Sequence, residues 1–180
     1  MPQTRSEAAA AVLAIAIVVA MAGCAGARPL RVDLDADGTR EWLRFDPQAD
    51  PALRIGRGGR ELWAGLPRRW HPWKLACGDL DGDGRPEIVV GVHKRTRFMP
   101  WPHNGLFVYG WDGEQAFPRW LGSALSRPFD DFALCDVEPG GGQELIVWER
   151  AGDARGSCVA VYAWAGFGFE RHGERCGRRP

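Results

Sequence analysis

Asp79-Leu80-Asp81-Gly82-Asp83-Gly84-Arg85-Pro86-Glu87, running directly into Ile88-Val89-Val90-Gly91-Val92, decides how the rest of the chain is read. Three carboxylates stand at alternate positions, a glycine follows the third, and a fourth carboxylate comes two residues after Arg85. Alternate residues of a tight loop can turn toward one centre. Calcium takes six to eight oxygens in a flexible shell. Asp79, Asp81 and Asp83 therefore supply side chains at positions one, three and five. Gly84 at position six supplies the positive φ of a sharp turn. The carbonyl of Arg85 and the carboxylate of Glu87 complete the set. An EF-hand requires its closing glutamate at position twelve and helices on both sides. Position twelve here is Val90, inside a β-branched run, so that reading is excluded. An acidic turn with no metal is the competing reading, because Asp and Gly are turn residues in any case. The mutual repulsion of four adjacent carboxylates favours a cation.

The stretch has two copies. Asp33-Leu34-Asp35-Ala36-Asp37-Gly38-Thr39-Arg40-Glu41 has the same grammar, with the Thr39 carbonyl at position seven and Glu41 at position nine. Asp136-Val137-Glu138-Pro139-Gly140-Gly141-Gly142-Gln143-Glu144 has Gly140 at position five, so a ligand is missing and no well-held ion is expected there. An apolar strand follows each loop: Trp42–Phe45, Ile88–Val92 and Leu145–Trp148. Hairpin signals recur between the loops. They are Gly56-Arg57-Gly58-Gly59, Asp112-Gly113 after Leu106–Trp111, and Ala165-Gly166 after Ser157–Trp164. Tyr109-Gly110-Trp111-Asp112-Gly113 is echoed by Tyr162-Ala163-Trp164-Ala165-Gly166. Successive loops start 46 and 57 residues apart. Units of roughly 40–50 residues with about four strands each are the signature of propeller blades. The expected fold is all-β, three blade-like units of antiparallel strands forming a small or incomplete propeller. The third unit reads as lacking a final strand. Arg31-Val32 could supply it and close a ring, or the units could form an open arc.

The loops from Asp33 to Glu41 and from Asp79 to Glu87 resemble the calcium loops of FG-GAP or VCBS repeats, found in integrin-like β-propellers. The resemblance extends from Asp33 to about Phe169. It implies calcium as the cofactor, held between the strands of a blade and stiffening it. The implied ligands are Asp33, Asp35, Asp37, Thr39 and Glu41 in one loop and Asp79, Asp81, Asp83, Arg85 and Glu87 in the other.

The N-terminus has a separate meaning. Ala8 to Gly23 is apolar and uncharged and follows Arg5, the shape of a secretory signal. Met21-Ala22-Gly23-Cys24 resembles the lipobox of bacterial lipoproteins, in which the cysteine is lipidated and becomes the mature N-terminus. The organisation expected is a signal peptide at 1–23, a tether at 24–30, the β domain at 31–176 and a tail at 177–180. An uncleaved anchor and an ordinary cleaved signal are the competing readings. All three place the body outside the cytoplasm, in the cell envelope, and the lipobox reading ties it to a membrane through Cys24. Four further cysteines suit an oxidising compartment. They allow three connectivities. Cys77 and Cys135 precede equivalent loops and form one candidate pair; Cys158 and Cys176 flank a hairpin and form the other. Free buried thiols are the alternative, and the spacings exclude a zinc site.

Lys plus Arg equals Asp plus Glu at 23 each, so there is no basic field of the kind that nucleic acid requires. No nucleophile elbow or phosphate loop is present. The expectation is a binding module, not an enzyme. Its candidate ligand loop is His93 to Asn104. There Arg95 and Arg97 suit an anionic group, Phe98 and Trp101 offer ring faces, and His93 and His103 are further candidates. The plainer reading is a solvated loop covering a blade edge. An envelope protein or a glycan is the partner class expected. A polysaccharide-acting enzyme with its site in this loop, and a purely structural envelope component, are the alternatives. Most tryptophans, among them Trp70, Trp73, Trp111, Trp120, Trp148 and Trp164, recur at strand ends and hairpins and read as packing.

Overall fold

The structure is a computed structural model describing residues 29–97, 99–122, 124–138, 141–151 and 156–178. The segment read as signal peptide, and Cys24, lie outside the described residues.

Each acidic loop joins the first and second strands of a four-stranded antiparallel sheet, and each sheet is built from consecutive strands. The first sheet contains β1 (Leu30–Val32), β2 (Glu41–Phe45), β3 (Leu53–Arg57) and β4 (Arg60–Gly65). The second contains β5 (Pro72–Gly78), β6 (Glu87–Lys94), β7 (His103–Trp111) and β8 (Ala116–Leu121). The third contains β9 (Phe129–Cys135), β10 (Glu144–Arg150), β11 (Gly156–Trp164) and β12 (Phe169–Arg178). The all-β architecture of three blades is thus as the sequence implies. The sheets do not close into a barrel; they form an arc with the second sheet in the middle.

The middle position explains why β6 does not alternate. Ile88, Val90 and Val92 face the first sheet and join Leu43, Leu53, Ile55 and Tyr109 in one core. Val89 faces the third sheet and joins Val108, Phe132, Leu145 and Tyr162 in a second core. A strand covered on both faces has no polar side to display. The first sheet, with one covered face, does alternate: Leu43, Leu53 and Ile55 are buried, while Arg44 is exposed and its guanidinium lies 5.7 Å from the Trp42 ring. Trp111 and Trp120 are core residues and Trp70, Trp73 and Trp164 pack against the cores, whereas Trp148 joins neither.

Two expectations about strands are corrected. The third sheet has its own fourth strand, β12, and needs none from the N-terminus. Arg31 and Val32 belong to β1 and pair with Trp42 and Glu41 of the first sheet. The segment Glu170–Arg178 escaped notice because an edge strand held by backbone bonds needs no apolar pattern. It also carries the β domain two residues beyond the expected limit at 176.

Of the two cysteine pairs, Cys158–Cys176 is bonded and joins residues directly opposite in β11 and β12. The expected Cys77–Cys135 bridge is not formed; both are free thiols. Strand alternation gives the reason. Cys77 points with Leu75 toward the first sheet. Leu134 faces the second sheet, so its neighbour Cys135 points to the opposite side. Equivalent positions in stacked blades aim the same way, and the second and third sheets both lie between the two sulfurs.

Candidate metal loops and a basic cleft at opposite ends of the sheets

The two intact loops are built by closely similar hydrogen bonds. In the second loop Asp79 accepts the N–H groups of Gly82 and Gly84, each at 2.8 Å, and Asp83 accepts that of Arg85 at 2.8 Å. In the first, Asp33 accepts those of Asp37 (3.2 Å) and Gly38 (2.9 Å), and Asp37 accepts that of Thr39 at 2.7 Å. The position-six glycines have φ of 87° at Gly38 and 85° at Gly84, as the turn requires. The Thr39 N–H is the main reason that the Asp37 carboxyl sits below its ordinary pKa.

This folding brings carboxylates together. One oxygen each from Asp33, Asp35 and Asp37 lies within 4.8 Å of the others, and so does one each from Asp79, Asp81 and Glu87. Glu41 and Asp83 are outside these triads. Thr39 and Arg85, whose carbonyls belong to the expected shells, are exposed loop residues. Oδ1 of Asp35 is buried and accepts no hydrogen bond, an orphaned acceptor of the kind that a cation satisfies. An all-oxygen donor set with no imidazole or thiolate fits a hard cation such as calcium.

Each loop also engages an arginine that the sequence reading missed. Arg57 of β3 reaches Asp35 (2.7 Å), Asp37 (2.9 Å) and Glu41 (2.6 Å). Arg119 of β8 reaches Asp81 at 2.6 Å and pairs with Glu87, while lying 5.4 Å from the Trp164 ring of the next blade. Burial pushes the Glu87 carboxyl above its ordinary pKa, although the Leu80 N–H and Arg119 oppose that rise. The carboxylates hold the Arg57 guanidinium well above its ordinary value. No fixed spacing marks these arginines: one is on a third strand and the other on a fourth.

In the third loop Glu144 is buried and accepts the Val137 N–H at 2.8 Å, so this bond is kept although the position-five carboxylate is missing. Its Gln143 N–H donates to the Asp79 carbonyl at 2.5 Å, tying the second and third loops together.

The loop between β6 and β7 lies at the other end of the middle sheet. A broad open cleft of about 600 Å³ is lined there by Arg69, Trp70 and His71 from the segment before β5, and by His93, Lys94 and Arg95. Lys94 Nζ stands 4.5 Å over the Trp70 ring. His93 Nδ1 is 2.8 Å from Asn104 Oδ1, and Asn104 in turn donates to the Phe129 carbonyl at 2.9 Å. The structure thus joins the expected His93 and Arg95, with Lys94 between them, to Arg69, Trp70 and His71, which are distant in sequence. Arg97 and Trp101 do not line this cleft, and Trp101 is 59% exposed on its loop. His103 Nδ1 is 3.0 Å from the Trp101 carbonyl, and its Nε2 is buried without a partner. Phe98 lies outside the described residues.

Comparison with curated proteins gives no match. Comparison with protein families matches residues 33–90, from the first acidic loop into β6, to the FG-GAP-like repeat. The chain therefore carries an FG-GAP-like repeat, set in an arc of three four-stranded blades.

Proposed function

We propose that the protein is an exported, lipid-anchored binding module of the bacterial cell envelope, with blades stiffened by calcium at Asp33, Asp35 and Asp37 and at Asp79, Asp81 and Glu87. The carrying observation is the pair of carboxylate triads that recur at the same place in two blades, one of them with an unpartnered buried oxygen. The FG-GAP-like match over the same loops supports the reading. Calcium acts here as a scaffold ion. It neutralises the loop and fixes the angle between the first and second strands, and the recognition surface lies elsewhere. Export and anchoring rest on the apolar segment and on Cys24, and the disulfide suits an oxidising compartment.

Thermal unfolding with calcium and with chelator tests the calcium claim. An ion bound only by the folded state stabilises by mass action, so Tm rises by several degrees in calcium. Asp81→Ala removes the share of that rise due to the second loop and Glu138→Ala leaves the rise unchanged. An unchanged Tm in chelator sinks the claim. Mass spectrometry of the membrane-extracted protein, beside Cys24→Ser, tests the anchor.

A further inference from the structure

A connected network of four charged side chains adjoins the Cys158–Cys176 bond. Arg127, in the segment before β9, places Nη1 3.2 Å from Cys158 Sγ and 3.8 Å from Cys176 Sγ. The same nitrogen donates to Glu174 at 2.7 Å, and Glu174 Oε2 lies 3.4 Å from Cys176 Sγ. Arg171 bonds both Glu174 and the buried Glu149. Glu149 also accepts from the Tyr162 hydroxyl, and it stands opposite Cys158 in the register of β10 and β11. Two guanidiniums balance two carboxylates, so position, not net charge, distinguishes the two sulfurs. The Arg127 guanidinium is nearer the sulfur of Cys158, a residue only 1% exposed. The Glu174 carboxylate approaches the sulfur of Cys176, which is exposed.

A disulfide uses these neighbours poorly. Its sulfurs carry no proton, so the approach of Glu174 to Cys176 holds no hydrogen bond, and a neutral sulfur is a weak acceptor for Arg127. Reduction improves both contacts. A Cys176 thiol can donate to the Glu174 carboxylate, and a Cys158 thiolate accepts a charge-assisted bond from Arg127. Neighbours that stabilise the reduced form make a disulfide easier to reduce, and a thiolate beside a guanidinium leaves faster. Access divides the sulfurs in the same sense, with the exposed one open to attack and the buried one placed to leave. β12 is also the end strand of its sheet. Its outer backbone groups can pair with an extended segment of another chain. His172–Gly177 are all exposed, so beyond the strand ladder the disulfide and the Arg127–Glu174 pair hold the end of β12.

We propose that Cys158–Cys176 is an exchangeable disulfide whose partner is a dithiol protein, with Cys176 the sulfur attacked and Cys158 the sulfur that leaves, held by Arg127. A thiolate of the partner attacks Cys176 Sγ and forms a mixed disulfide. The Cys158–Cys176 bond breaks, and its electron pair stays on Cys158 Sγ. The partner's second thiolate then attacks the partner's own sulfur in the mixed disulfide and releases Cys176 as a thiolate. The partner ends oxidised to its own disulfide, and this chain ends reduced by two electrons. Cys176 takes up a proton and donates it to Glu174; the second proton is shared between Cys158 and solvent. The end of β12 loses its covalent hold.

The test incubates the folded full chain, without denaturant, in glutathione buffers and in dithiothreitol. Acid quenching, alkylation and peptide mass spectrometry then report each cysteine separately from Cys77 and Cys135. Dithiothreitol should open the bond in the folded protein, and glutathione should form its adduct on Cys176. Arg127→Gln should shift the glutathione equilibrium toward the disulfide by about tenfold, and Arg127→Lys should recover most of the loss. Amide exchange at the end of β12 should quicken on reduction, with the first and second sheets unchanged. Reduction that occurs only after urea has unfolded the chain overturns the proposal, because the bond is then purely structural. An adduct on Cys158 overturns the assignment of the attacked sulfur. An unshifted equilibrium in a folded Arg127→Gln overturns the role of the guanidinium. Should that variant not fold, the adduct position in the wild type still decides the direction of attack.

Discussion

The carboxylate of Glu87 accepts the backbone N–H of Leu80 at 2.8 Å, and the bond recurs seven residues apart in all three blades, from Leu34 to Glu41 at 3.0 Å and from Val137 to Glu144 at 2.8 Å. All three glutamates are buried at the first residue of the second strand. Position nine of the loop is thus first a clamp that fastens the loop to its sheet, whether or not the position-five carboxylate is present. Its protein partners differ between blades. Removing Glu87 leaves a backbone donor unmatched and the Arg119 guanidinium with Asp81 as its remaining carboxylate partner, whereas Glu144 has only the donor to lose. Glu87→Ala should cost about 3–5 kcal/mol. Glu144→Ala should cost about 1–3 kcal/mol. Urea unfolding in chelator checks the order, and equal costs would show that the arginine contributes nothing.

Arg57 and Arg119 give the carboxylates a monovalent partner within the chain. Replacing either by methionine keeps much of the packing but leaves a buried glutamate charge uncompensated. In chelator, Arg119→Met should lose about 3–5 kcal/mol. Calcium brings two charges to the same carboxylates and should restore most of the loss. The calcium-induced rise in Tm should therefore be larger for Arg57→Met and Arg119→Met than for the wild type. A smaller rise would mean that the arginines help to assemble the metal shell.

Much of this fold was legible because its loops and strands are specified locally. Alternating carboxylates followed by glycine and a β-branched run mark loop and strand together, and Ile88–Val92 revealed by its lack of alternation that both faces are covered. What escaped depends on relationships that sequence does not write down. β12 is polar because an edge strand needs only backbone partners. Arg57 and Arg119 sit on different strands of their blades, so no spacing announces them. His93 and Arg95 were visible as a basic loop, yet Arg69, Trp70 and His71 join them only because the chain re-enters the second sheet beside the end of β6. Cys77 and Cys135 looked like a pair because they are equivalent, and equivalence is what keeps their sulfurs apart.

The free thiols give a pH signature. Burial pushes the Cys77 thiol from 9.0 up to about 12. The folded state thus holds the proton more tightly than the unfolded chain, so ionisation of the unfolded chain draws stability away as pH rises. The contribution is complete below about pH 9 and is lost between pH 9 and 12. Tm should fall over that window, and Cys77→Ala should flatten the fall. Under native conditions at neutral pH, iodoacetamide should leave Cys77 unmodified, with Cys158 and Cys176 protected by their bond. Rapid alkylation of Cys77 would mean that the core between the first two sheets opens locally.

The glycine run of the third loop looked like the loss of a ligand, and its structural use is contact. A Cβ built on Gly142 would stand 2.3 Å from the carbonyl carbon and oxygen of Leu80 and 2.8 Å from the Asp81 nitrogen. These are backbone atoms of the second acidic loop, already fixed by the Glu87 clamp, and they cannot rotate away as a side chain could. A Cβ on Gly141 would meet nothing within 4 Å. Gly142→Ala must therefore separate the second and third loops and weaken the bond from Gln143 to Asp79, at a cost of about 1–3 kcal/mol. Gly141→Ala restricts the unfolded chain and should be neutral or stabilising by up to about 1 kcal/mol. If calcium at Asp79, Asp81 and Glu87 needs that loop geometry, Gly142→Ala should also reduce the calcium-induced rise in Tm, and Gly141→Ala should not. Equal effects of the two substitutions on urea midpoint and calcium response would show that the blades do not meet at Gly142 and Leu80.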